Sequence, residues 1–170
     1  MAFGSTIQLD FYITRAVQML KANTTLINPN PEDSLVTDVL AQQAPIDQSP
    51  NKSIIPIIYV YLSRTPIRDS PHFGRDGLNI AGAKYYELEF YNVIIARGID
   101  KQAAQQKCQD IGAIVRDVYQ RNLRMLNTTQ QDPICANNSV TTVPFVLRSD
   151  DPNIQALNVI VRPEVPNSLR

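Results

Sequence analysis

The stretch K84YYELEFYNVIIARGIDKQAAQQKCQDIGAIVRDVYQRNL123 changes its hydrophobic rhythm halfway along. From Lys84 to Ala96 it alternates with period two: Tyr86, Leu88, Phe90 and Ile94 fall on one face, and Tyr85, Glu87, Glu89, Tyr91, Val93 and Ile95 on the other. Period two is the signature of a strand, since successive side chains leave a pleated backbone on opposite sides. Beyond Gly98 the rhythm lengthens. Ala104, Cys108, Ile111, Val115, Val118, Tyr119 and Leu123 recur every three to four residues, which predicts a helix over about 100–126. Gly98 interrupts the strand, and Asp100 is placed to cap the helix by accepting from its first free amides. A helix of that length would extend roughly 40 Å, a full domain diameter.

Working towards the N-terminus, residues 63–83 (SRTPIRDSPHFGRDGLNIAGA) hold two Pro and three Gly among Arg64, Arg68, Asp69, Arg75 and Asp76. So long a connection between strands reads as an extended arm. Before it, Ile54–Leu62 (IIPIIYVYL) is β-branched and aromatic, a first strand whose start Pro56 keeps at an edge or outside the ladder. Residues 23–53 are loop-rich, with a short helix expected over Glu32–Gln43 through Leu35, Val36, Val39 and Leu40. At the front, Ser5 and Gln8 form a capping box, and Leu9, Ile13, Ala16 and Leu20 mark a helix over about 6–22. Towards the C-terminus, Val140–Arg148 and Gln155–Val165 read as strands joined through Ser149–Asn153. The expected architecture is one α+β domain over 1–170: an antiparallel sheet with two long helices on one face. The Glu87/Glu89 face then looks outward or into a neighbour.

Composition bounds the function. The chain has 170 residues, enough for one domain, and 44% are apolar. Sixteen basic residues balance sixteen acidic ones, so there is no excess positive charge for wrapping DNA or an anionic membrane. No apolar run approaches the roughly 18 residues of a membrane span. The first residues, MAFGSTIQLDF, lack the basic-then-apolar layout of a signal peptide, and synthesis in the cytoplasm is expected. In that setting the sequons at Asn23, Asn51, Asn127 and Asn137 are chance matches, and Cys108 and Cys135 are ordinary thiols.

The chemistry-bearing residues do not assemble into a catalytic pattern. His72, the single histidine, has no partner at metal-ligand spacing. Gly74, Gly77 and Gly82 precede a strand, whereas a phosphate-binding loop follows one. Glu87 and Glu89 could form the carboxylate pair of a divalent-metal nuclease. Such a site wants a further acid and a downstream lysine, but Tyr91, Val93 and Ile95 follow on that face. The strand aromatics lack the flanking basic residues of a single-stranded nucleic-acid platform. Neither cofactor nor metal is expected.

A helix, then IIPIIYVYL, then YYELEFYNVII, a helix opened by GIDKQAAQQ, and a closing ALNVIVRPEV make an order and proportion that resemble a known family. It is the tail terminator and head–tail neck proteins of tailed bacteriophages, the family that includes the phage lambda tail terminator. The resemblance covers about 6–22, 54–62, 84–126 and 155–165. It implies a structural virion protein, built in the host cytoplasm, whose hexameric ring caps the tail tube and meets the head-closure or connector ring, with DNA at most passing through its lumen. It further implies that Arg64, Arg68, His72, Phe73, Arg75 and Asp76 reach an adjacent subunit or ring. Tyr85, Glu87, Glu89 and Tyr91 would belong to a subunit or tube-facing surface. Other readings are a different head–tail connector or tail-completion protein, the Glu87/Glu89 nuclease, and a small adaptor domain without a ring.

Overall fold

Residues 9–46, 48–63, 68–69, 84–123, 125 and 137–167 are described in the computed structural model, with backbone alone for 9–11, 68–69, 84–87, 137 and 165–167. Helix α1 (Leu9–Lys21) buries Tyr12, Ile13, Ala16, Met19 and Leu20 along one stripe. The capping box at Ser5 and Gln8 lies outside the described residues. Past the helix, the Asn23 side chain accepts from the amides of Thr25 and Leu26, turning the chain back towards the core.

The helix expected over Glu32–Gln43 does not form. Its place is taken by a short 3-10 turn (Pro31–Asp33) and a three-residue strand, β1 (Asp38–Leu40). Val39 packs on the helical side of the sheet and Leu40 on the other, which is strand alternation. Val36 and Val39 are apolar at a helical interval. What overrides that interval is a waiting ladder: Thr37 donates to the Pro56 carbonyl at 2.7 Å, and β1 pairs in parallel with β2 (Ile57–Leu62). Pro56 stands just ahead of β2, outside its ladder as expected.

The remaining strands are β3 (Arg68–Asp69), β4 (Lys84–Glu87), β5 (Phe90–Arg97), β6 (Asn137–Pro144) and β7 (Ile154–Asn167). Seven segments occupy five positions. β2 and β3 share one flank of β4 and β5, β7 lies along the other flank, β6 closes the sheet beside β7, and β1 closes it beside β2. The expected single strand over Lys84–Ala96 is interrupted at Leu88 and Glu89, yet its register does not slip. Glu87 faces Glu164 and Phe90 faces Val161, leaving two residues on each strand between them. The gap lies opposite Pro163, which has no amide to donate, although its carbonyl still accepts from Leu88. All described pairings are antiparallel except β1 with β2, so the sheet is mixed rather than purely antiparallel.

Helix α2 (Lys101–Arg121) is capped by Asp100, whose side chain accepts from the Ala103 amide at 2.7 Å. At 21 residues it extends about 31 Å, shorter than expected, and Leu123 beyond it is exposed. Gly98 is required where strand meets helix: a Cβ there would collide with the backbone of Ala103 and Ala104. Both helices cover the same face of the sheet. Between them and the sheet lie Ile58, Val60, Leu88, Phe90, Ile94, Val115, Tyr119, Val159 and Val161. Tyr119, fully buried, donates to the Asn92 side chain at 2.7 Å, and Asn92 donates to the Val159 carbonyl at 3.0 Å. That buried pair is satisfied at both ends and fixes how α2 sits over β5 and β7.

Candidate functional site

The second face of the sheet was expected to be open, and half of it is not. Ile57, Tyr59, Val93, Ile95 and Ile154 form a second core, closed over by Ala44, Ile54 and Ile55 from one connection and Phe145 and Leu147 from another. Burial pushes the Tyr59 hydroxyl above its ordinary value. The two covering segments are tied together at Asp151. Its carboxylate accepts from Asn153 at 3.0 Å and lies 3.2 Å from Lys52 and 3.5 Å from Arg97. Those contacts, the amide of Asn153 first, hold the Asp151 carboxyl below the usual aspartate range. Val93 and Ile95 therefore serve the fold, because loops from sequence-distant places cover them.

The other end of the same face has no such cover among the described residues. The ladder sets Tyr61, Tyr91, Ile160 and Thr141 side by side across β2, β5, β7 and β6. In the next row it sets Glu89, Arg162 and Ser139, where the Arg162 Nε donates to Glu89 at 2.8 Å. The Tyr61 and Tyr91 rings meet edge to face, centroids 5.6 Å apart. Tyr61 and Tyr91 are half-buried, and Thr141 and Ser139 are exposed. The Glu89 and Arg162 side chains are 14% and 30% exposed, so the pair is partly withdrawn from water.

Of the residues singled out from sequence, Glu89 and Tyr91 belong to this patch. Arg68 is placed by backbone register opposite Glu87, so this part of the expected arm is a ladder residue of the sheet, and Tyr85 is opposite Pro166. Arg64, His72, Phe73, Arg75 and Asp76 lie outside the described residues, as does Cys135. Cys108 is buried, its thiol within 3.3 Å of the Gln155 carbonyl and pushed up to about 11 by burial, so it packs as a small apolar group. Ile160, Arg162 and Thr141 were not singled out. Their signal was the alternation of β6 and β7, but that Ile160 and Arg162 stand beside Tyr91 and Glu89 depends on a register with residues about 70 positions away in sequence.

Chemically the patch offers two half-buried tyrosine rings and a matched ion pair, with Ile160 buried beside Tyr91. That is the composition of an adhesive surface, where Tyr and Arg anchor contacts and polar groups rim them. The nuclease reading loses ground on geometry. The Glu89 carboxylate is already neutralised by Arg162, from the chain's own β7. Among the described residues no three His, Cys, Asp or Glu side chains come together in a metal-binding arrangement.

The chain matches no protein-family model and no curated protein. Among solved structures it is similar to a chain of a "Virion of native gene transfer agent (GTA) particle". The identity is 12% and the TM-score 0.45, over 96% of this chain and 100% of that one. So slight a likeness carries no weight for this chain's role.

Proposed function

We propose that this chain is a structural virion protein, the tail terminator of a tailed bacteriophage. It assembles as a ring, a hexamer by family resemblance, that caps the tail tube and receives the head-closure or connector ring. The order and proportions of its elements support this reading. So does an α+β fold that keeps both helices on one face of the sheet, as the resemblance implies. The single observation that carries the surface is the second face, covered at only one end among the described residues: the same three strands that are sealed there hold half-buried Tyr61 and Tyr91 and the partly exposed Glu89–Arg162 pair at the other. A protein acting through shape needs such a patch, and it needs no bond-making group.

In this reading Tyr85, Glu87, Glu89 and Tyr91 belong to the subunit or tube-facing surface. Arg64, Arg68, His72, Phe73, Arg75 and Asp76 reach a neighbouring subunit or ring. The test is location. Immunogold labelling of particles should place the chain in a thin ring at the head-proximal end of the tail, and purified protein imaged by electron microscopy should show rings. A chain absent from particles, or magnesium-dependent DNA cleavage lost in Glu87→Gln, would overturn it.

A further inference from the structure

The helical layer carries a second feature that the core does not explain. Between α1 and α2 lies a groove of about 300 Å³, with Arg15, Gln18 and Met19 on one wall and Asp117, Val118 and Arg121 on the other. The Arg15 Nε is shielded from solvent and has no hydrogen-bond partner. Burial lowers its guanidinium pKa, and among the described residues no carboxylate is paired with it. The one acid in the groove wall, Asp117, is taken by Arg121 at 2.9 Å. A shielded donor left unmet costs stability, and a cation so placed is matched most strongly by a carboxylate brought in from outside.

The chain carries a candidate acid elsewhere on the same side. The Pro31–Asp33 turn is exposed; Asp33 accepts from Asn30 at 2.8 Å, while Glu32 has no basic partner among the described residues. Ser34, the next residue, lines a separate hollow with Lys107 and Asp110, nearer the start of α2. Along the helix this is about 15 Å from the Asp117 end of the groove, so one copy's turn is offset from its own Arg15. Complementary features offset on one surface make a head-to-tail contact, which closes into a ring when the rotation permits.

We infer that the α1–α2 groove receives the acidic Pro31–Asp33 turn of a second copy of this chain, with Glu32 meeting Arg15. This rests on the ring-forming reading above and names one contact that would build it. Partial desolvation of the guanidinium makes its pairing with a carboxylate worth more than an ordinary surface pair.

The experiment is sedimentation velocity and electron microscopy on the full chain: wild type, Arg15→Glu, Glu32→Lys, and an equimolar mixture of the two variants. Wild type is expected to assemble. Each single reversal should weaken assembly about tenfold or more. The mixture should recover it, because copies alternating around an even-numbered ring pair every reversed residue with an opposite charge. An Arg15→Gln control, melted at a concentration where wild type is monomeric, should melt no lower than wild type, since the Nε it removes has no partner among the described residues of its own chain. Arg15→Glu rings that form as readily as wild type overturn this contact and leave the ring reading standing. Reversals that disrupt singly and fail to complement also overturn it. A wild type that stays monomeric at every concentration overturns this contact, and the ring reading falls with it when the chain is also absent from the head-proximal end of tails.

Discussion

Strands β2, β5 and β7 carry two neighbouring regions of the second sheet face, and these two ends have different fates. At one end Tyr59, Val93 and Ile95 are almost fully enclosed; at the other Tyr61 and Tyr91 remain half-exposed. The strands themselves barely change between these ends, being β-branched and aromatic throughout. What differs is the cover: residues near Ala44, Ile54 and Ile55, and Phe145 and Leu147, reach the first end, and Asp151 binds the two covers together. A sheet face is thus core or contact surface according to which loops return to it. In this molecule that division is made within single strands.

The most severe test of the comparison is a pair of truncations on β5, two residues apart on that face. Ile95→Ala, at the sealed end, should cost about 2–5 kcal/mol in urea denaturation, since a buried isoleucine leaves a cavity its neighbours fill only partly. Tyr91→Ala should cost less than half as much while weakening assembly. Equal losses would mean the open end is as much core as the closed end, and the surface proposed here would fail.

Much of this division was out of reach of the sequence. Periodicity located α1, α2 and the strands around them, because each buries a stripe or a face whose spacing is set by its own backbone. The Asp100 cap and the Gly98 break were legible for the same reason: they act over a few residues. The Val36–Leu40 stretch misled, since an apolar interval that suits a helix also suits a strand start when a partner ladder is available. The cover over Val93 and Ile95 was invisible, because it comes from residues some 40 positions upstream and 50 downstream. The Glu89–Arg162 pair spans 73 residues and needs the register of two strands to be known. Arg15 is, by its spacing, a polar position on an amphipathic helix, and only the unmatched Nε in the folded chain sets it apart.

A smaller effect sharpens the open end. Glu89→Gln removes the charge that Arg162 pairs with, in a site partly shielded from water. The expected loss is about 1 kcal/mol, read as a shift in the urea midpoint at constant slope, with discount taken for the exposed side of the pair. Raising the salt concentration should narrow the difference between Glu89→Gln and wild type in assembly, if the pair shapes a surface that other chains meet. A loss as large as that of Ile95→Ala would show Glu89 and Arg162 to be part of the sealed core.

The smallest effect belongs to the sealed end and appears only with acid. The Asp151 carboxyl is lowered in the folded chain by the Asn153 amide and by Lys52, and ionises at its ordinary value once unfolded. A folded-state pKa below the unfolded one means that the unfolded chain binds the proton more readily. The stability Asp151 contributes is therefore present above the usual aspartate range, near pH 4, and is lost as pH falls through its lower folded value. Asp151→Asn should lower the melting temperature slightly at neutral pH, and the gap from wild type should close as the pH falls below the usual aspartate range. Because Asp151 joins the two covering segments, hydrogen exchange in the mutant should quicken around Ala44 and Phe145 before it changes at Tyr61 and Tyr91. Exchange that quickens first at the open end would mean that the cover is not what separates the two halves of the face.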